Sequence, residues 1–302
     1  MTRALTASIA AIVALLLAAA AQGAPATTAE ATDYAIKLFS PAKVGDKYKV
    51  TATGTDRQEQ TQTPAGGEAQ KAVEEYTVQF VGVAEIAEVD KAGSATKVTY
   101  AVEKCDRIAG DEKTQIVAAG KSIVQTHKDG ENVYTVDDEA LAEPVAKALN
   151  VIMPNLDPDM PNSDELIGTK DRQKVGASWA VNAESLAKAL SGKLAVKAQD
   201  IQGTCKLVDV KLEGGRQWLH VEAEVTARNI QIPVPNSTTT KGVLTLKTSG
   251  LWPADAVGEG RSQTGEVRLE ATVVAKDANG NEVTVDIVNS QKTRTQAQKL
   301  EK

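Results

Sequence analysis

Val267, Leu269, Ala271, Val273 and Ala275 alternate with Glu, Arg and Thr, save for Val274. Leu219, Val221, Ala223, Val225 and Ala227 do the same one segment earlier, and Val98, Tyr100 and Val102 earlier still. A period of two is the pattern of a strand with one dry and one wet face. The runs are separated by turn chemistry: Asp90 to Gly93, Lys128-Asp129-Gly130-Glu131, Gly214-Gly215 and Asp277-Ala278-Asn279-Gly280. Strand, tight turn and strand in succession predict antiparallel sheet. The fold class expected is therefore mainly β with a few helices (α+β): an antiparallel curved sheet or open half-barrel.

A long curved sheet needs its dry face covered. Residues Asp137 to Met153 are predicted as a helix, with Leu141, Val145, Ala148, Leu149 and Ile152 on one face, capped by Asp137 or Asp138 and stopped by Pro154. Glu184 to Leu190 reads as a second, short helix ending near Gly192. Thr53 to Gln70 is polar, with Pro64 and Gly66-Gly67, and reads as a mobile loop or ragged hairpin. Tyr76 to Val89 is strand, with a slip in phase at Phe80-Val81.

The chain opens with Arg3, an uncharged stretch from Ala4 to Ala21, and small-x-small steps at Ala21-Gln22-Gly23 and Ala24-Pro25-Ala26. Those are the three parts of a secretory signal peptide, which predicts export to the periplasm or the extracellular space. Removing residues 1–26 takes away one charge, so the formal charge passes from -6 to -7. A mildly acidic chain without a basic run is not built for nucleic acid. Aromatic residues are 3% of the chain, too few for the girdles of an outer-membrane barrel or the stacking platforms of a sugar groove. No later stretch is long and apolar enough to span a membrane as a helix.

Two octets match: Lys43-Val44-Gly45-Asp46-Lys47-Tyr48-Lys49-Val50 and Lys174-Val175-Gly176-Ala177-Ser178-Trp179-Ala180-Val181. Each predicts a glycine turn feeding a strand, with Val44 and Tyr48, or Val175 and Trp179, on one face. The expected organisation is a signal peptide (1–26), a first β-rich half with a C-terminal helix (27–153), a linker (154–173) and a second β-rich half (174–302). The V-G-x-x-W element resembles exported bacterial β-rich proteins of unknown function; the resemblance implies β-meanders behind each octet and no catalytic residues. A looser likeness of fold, a curved sheet with lid helices, is to open half-barrels that carry lipids or lipoproteins.

Cys105 and Cys205 are the only cysteines, and in an oxidising compartment an even pair predicts a Cys105–Cys205 disulfide. Ser185-Leu186-Ala187-Lys188 fits S-x-x-K, and Lys247-Thr248-Ser249-Gly250 approaches a K-T-G strand, but Ser249 intrudes and no S-D-N triplet lies between them. A solvated helix face explains the first as well. His127 and His220 lie in separate strands without ligand spacing, which predicts surface positions. Asp157, Asp159, Asn162 and Asp164 attract attention as a calcium site but lack the EF-hand glycine and glutamate. No catalytic, cofactor-binding or metal-ligating residue is therefore assigned, and no cofactor is expected. The reading is a non-enzymatic exported binding or scaffold protein whose partner is a lipid, peptide or envelope protein. The alternative is a secreted hydrolase with a dispersed site, which a cleft holding Ser, His and Asp within hydrogen-bond reach would favour.

Overall fold

The computed structural model describes residues 32–191, 193–255, 262–277 and 280–300; the expected signal peptide, 1–26, lies outside them. Thirteen strands form one antiparallel sheet. They are β1 (Lys47–Pro64), β2 (Gln70–Val89), β3 (Ala95–Ala109), β4 (Glu112–Gln115), β5 (Ser122–Lys128), β6 (Glu131–Val136), β7 (Glu139–Ala140), β8 (Ser178–Ala180), β9 (Ile201–Glu213), β10 (Arg216–Arg228), β11 (Ser237–Pro253), β12 (Ser262–Lys276) and β13 (Glu282–Lys299). The order across the sheet is β7-β6-β5-β3-β2-β1-β13-β12-β11-β10-β9-β8, with β4 on β3. The curved sheet does not close, because β7 and β8 at its two ends do not pair. The expected class is confirmed.

One face is covered. Helices α1 (Glu143–Asn150), α2 (Ser163–Ile167) and α3 (Ala183–Leu190), with the segments between them, lie on it. Two apolar clusters result. One joins Tyr76, Val78, Phe80, Tyr100 and Ile123 to Leu149, Ile152 and Met153. The other joins Leu219, Val225, Leu244 and Leu269 to Leu166, Leu186 and Leu190. Tyr34, Ile36 and Leu38 also enter the second cluster. Residues 34–38 are thus pinned: Tyr34 and Gln173 exchange two 2.8 Å backbone bonds, and Leu38 N–H donates to Asp164 at 2.6 Å. No helix among the described residues is long and apolar enough to cross a membrane.

Several local expectations are corrected. Of the two alternatives for Thr53 to Gln70 the hairpin is the right one, and it is regular rather than ragged: β1 runs to Pro64, residues 65–69 turn and β2 begins at Gln70, with β1 paired along both edges, to β2 and β13. The helix begins at Glu143 rather than after Asp137–Asp138, which instead turn the β6–β7 hairpin with φ of 52° and 64°. Positive φ at both central residues is the turn that matches strand twist, and Asp tolerates it. Pro144 then opens the helix. The linker 154–173 contains α2, whose Asn162 and Glu165 form a reciprocal capping box. The break in phase belongs to β3, not β2: Val81 faces Lys104 and Gly82 faces Val102, so Glu103 bulges.

The octets make the same turn. Gly45 and Gly176 have φ of 85° and 89°. Asp46 N–H bonds Lys43 C=O and Ala177 N–H bonds Lys174 C=O, both at 3.0 Å. Gly45 N–H reaches Ile86 on β2, and Gly176 N–H reaches Leu207 on β9. Tyr48 then faces Ala84, and Trp179 faces Cys205. Val44 and Val175 do not share the strand face as expected; they sit in the turns and are exposed.

Candidate functional site

Two concavities flank the sheet. The first, about 350 Å³, lies between the covered face and its cover. Tyr48, Val50, Ile86, Tyr100, Met153 and Leu156 line it, so most of its wall is apolar. The sheet supplies the floor through alternate residues of β1, β2 and β3. The roof is residues 152–166, fixed by side chains from below. Tyr100 donates to Gln125 at 3.0 Å, Gln125 donates to Pro154 C=O at 2.6 Å, and Asn132 accepts from Leu156 N–H at 3.2 Å. Tyr134 donates to Asn150 at 2.8 Å. The concavity is partly open to solvent, and a mainly apolar cleft with some polar groups is a usual form of a small-molecule site.

The second, about 660 Å³, is a trough on the wet face, lined by Lys206, Glu222, Lys247, Ser249, Thr264 and Glu266 among others. Its charges are largely paired, Lys247 with Glu224 at 2.8 Å and Lys292 with Glu266 at 3.1 Å. At the edge of this trough, which Ser249 lines, strand register brings together three residues that sequence analysis did not group. His220 on β10 faces Asp209 on β9, and Ser249 on β11 faces Glu222. The Ser249 hydroxyl is 2.9 Å from His220 Nε2, and Asp209 Oδ1 is 3.4 Å from His220 Nδ1. The types are those of a nucleophile, base and orienting acid. The chemistry is incomplete in two respects. His220 Nδ1 and Asp209 Oδ1 are buried and make no hydrogen bond. Ser249 lies inside β11 with β10 and β12 paired on its two sides, so the local main-chain N–H groups serve the ladder and none is left as an oxyanion donor.

The other residues singled out by sequence are dispersed. Cys105 and Cys205 do not form the expected disulfide: both are free and fully buried. They sit on β3 and β9, in different apolar clusters, seven strand positions apart in the sheet order. Burial pushes both thiols up to about 12. Ser185 and Lys188 are on α3, against the covered face, whereas Lys247 and Ser249 belong to the wet face, so the S-x-x-K and K-T-S-G segments do not meet. His127 and His220 are half-buried rather than on the surface; His127 Nε2 is 3.9 Å from Asp157. Asp164 is committed to the Leu38 and Phe39 N–H groups. Among the described residues no group of three His, Cys, Asp or Glu is placed to hold a metal.

A third feature was invisible in sequence. On the covered face Asp56 faces Gln291 and Gln58 faces Asn289 across the β1–β13 ladder. Asp56, Gln291 and Asn289 are 1%, 0% and 3% exposed. Gln58 Nε2 donates to one Asp56 oxygen at 3.1 Å. Burial raises the Asp56 carboxyl from 3.8 to about 6, the Glu74 charge adding to it against the hydrogen bond from Gln58.

No protein-family model matches the chain, and no curated protein matches it. Among solved structures, a mutant porin of Rh. blastica superposes with a TM-score of 0.20 at 9% identity, over 80% of this chain and 99% of that one. OccK11 (OpdR) of Pseudomonas aeruginosa gives 0.18 at 7% identity over 88% and 100%. A LolA superfamily protein of Nitrosomonas europaea gives 0.12 at 7% identity over 78% and 83%. Superpositions this loose carry no argument about what the chain does.

Proposed function

We propose that this is an exported, non-catalytic binding protein that holds a small apolar or amphiphilic molecule between its sheet and its cover. The observation that carries the reading is the 350 Å³ apolar cavity, which the hydrogen-bonded roof keeps open beside an otherwise close-packed core. The signal-like N-terminus supports export. The same reading takes residues 27–153 and 174–302 as tandem halves; the identical octet turns and the two apolar clusters support it.

Titration with the neutral fluorophore N-phenyl-1-naphthylamine should give saturable, blue-shifted emission. Ala84→Phe, which places a ring in the cavity, should abolish it while leaving the unfolding midpoint near that of the parent. Saturable binding that survives Ala84→Phe would sink the proposal, as would no binding at all. Native mass spectrometry of protein taken from its own envelope should find a small lipophilic passenger.

The Ser249, His220 and Asp209 arrangement favours one second reading, hydrolysis in the wet-face trough. A fluorophosphonate probe separates the two. The binding reading expects Ser249 to label no faster than other exposed serines. Labelling that is fast and vanishes in both Ser249→Ala and His220→Gln would establish the hydrolase.

A further inference from the structure

Inner-face positions beside the seam are Val267 and Leu269 on β12, both apolar, and on β2 Tyr76, facing Asp56, and the exposed Glu74, facing Gln58. Between them runs a polar seam two strands wide, made by Asp56, Gln58 and Gln60 with Gln291, Asn289 and Thr293. Five of its atoms are buried without a hydrogen-bond partner: Asp56 Oδ1, Gln60 Nε2, Asn289 Nδ2, and both Nε2 and Oε1 of Gln291. Native proteins leave few such groups, and a cluster of them marks a place where a partner belongs. The set holds three donors and two acceptors. A bare anion would satisfy the amides but face the Asp56 carboxyl. A bare cation would satisfy the oxygens and leave three N–H groups empty. Groups that both donate and accept meet the whole set; one hydroxyl donates once and accepts twice, so several hydroxyls on one head group, or ordered waters in its absence, would be needed.

The seam leads to the apolar cavity. Thr295 lines the cavity, and Gln291 lies on the same strand and face, four residues away, about 13 Å in a β-strand. The Val151–Ile152 turn stands between them. It sits on Gly54, where an added Cβ would be 2.6 Å from Val151 Cγ1 and 2.9 Å from Ile152 Cγ2. Ile152 also forms part of the cavity wall.

We propose that the seam receives the uncharged, hydroxyl-bearing head group of an amphiphile whose apolar tail fills the cavity, with the Val151–Ile152 turn moving aside to join the two. The inference rests on the binding reading above and names its ligand class. A protonated Asp56 would add a further donor to the same site.

The test is displacement of N-phenyl-1-naphthylamine by three ligands sharing one tail, below their micelle concentrations: octyl glucoside, octanoate and octyltrimethylammonium. The expected result is that octyl glucoside displaces at least tenfold more tightly than either ion. In Gln291→Leu that preference should fall to within about threefold, with octanoate binding unchanged. Asn289→Leu gives the same readout should Gln291→Leu fail to fold. Equal displacement by all three, or a preference indifferent to both variants, refutes the head-group site and leaves the cavity reading standing. Failure of the fluorophore itself to bind refutes the cavity reading and this inference together.

Discussion

Asp56 offers a pH-dependent test of the seam that needs no ligand. Its carboxyl titrates near 3.8 in the unfolded chain and near 6 in the fold, chiefly because burial penalises the ionised form. Folding therefore takes up a proton between those two values, and the slope of stability against pH is negative there. The stabilisation is fully present below about 3.8 and is lost as pH rises through about 6. At about 1.36 kcal/mol per tenfold change, the full difference is about 3 kcal/mol, of which about 2 to 3 falls between pH 4 and 7.5. Asp56→Asn keeps the shape and removes the titration. Urea unfolding of parent and variant across that range should show the variant gaining about 2 to 3 kcal/mol relative to the parent as pH rises. Taking the difference between two proteins cancels every other titrating group. A difference flat within about 0.5 kcal/mol would mean that Asp56 is hydrated in the fold and that the seam is not closed. A difference of opposite sign would mean that its charge has a partner.

Other perturbations follow from single contacts. Trp179 packs at the edge of the second cluster and donates to Ile167 C=O at 2.9 Å, so Trp179→Ala should cost about 2 to 3 kcal/mol, less than a fully buried tryptophan, in the same urea assay. Cys105 and Cys205 should react with a disulfide reagent negligibly in native protein at pH 8, and both should titrate as free thiols once it is denatured without reductant. Asn162→Ala removes the α2 capping box and should lower stability by about 1 kcal/mol, with Glu165→Ala adding little on top, because the two bonds form one unit.

What could be read in the sequence was whatever is decided over two to ten residues. The alternation in Leu219 to Ala227 and Val267 to Ala275 became β10 and β12, and Gly214-Gly215 became a hairpin turn with both φ positive. Thr53 to Gln70 could be read only as a loop or a ragged hairpin because its inward positions are Gly54, Asp56, Gln58 and Gln60, which carry no apolar signal; neighbouring strands, not composition, make it a regular hairpin. The capping box at Asn162 and Glu165 was legible but masked by the surrounding prolines. The disulfide failed because an even count of cysteines says nothing about which strands lie between them. The Asp209, His220 and Ser249 contact spans 40 residues and depends on a register shift in β9–β10 at His220/Val221. No local pattern carries that information.

If the two halves are tandem copies, as proposed, the order of the strands gives the polar seam a reason. From one edge, the first half reads β7, β6, β5, β3, β2, β1 and the second reads β13, β12, β11, β10, β9, β8. Each half descends in chain order, so the junction joins the first strand of one to the last strand of the other. On the tandem proposal, β1 corresponds to β8 and β13 corresponds to β7. The corresponding strands at the free ends are only 3 and 2 residues long, whereas β1 and β13 are 18 each. Edge strands are kept short or polar because they would otherwise template aggregation. Joining two halves head to tail turns two such edges into the centre of one sheet, where they can lengthen by pairing with each other. Their inner faces then carry polarity into the middle of the sheet, where Asp56, Asn289 and Gln291 are buried. A polar stripe between two apolar clusters is the expected consequence of that joining, and a binding site could arise there without removing any of either core.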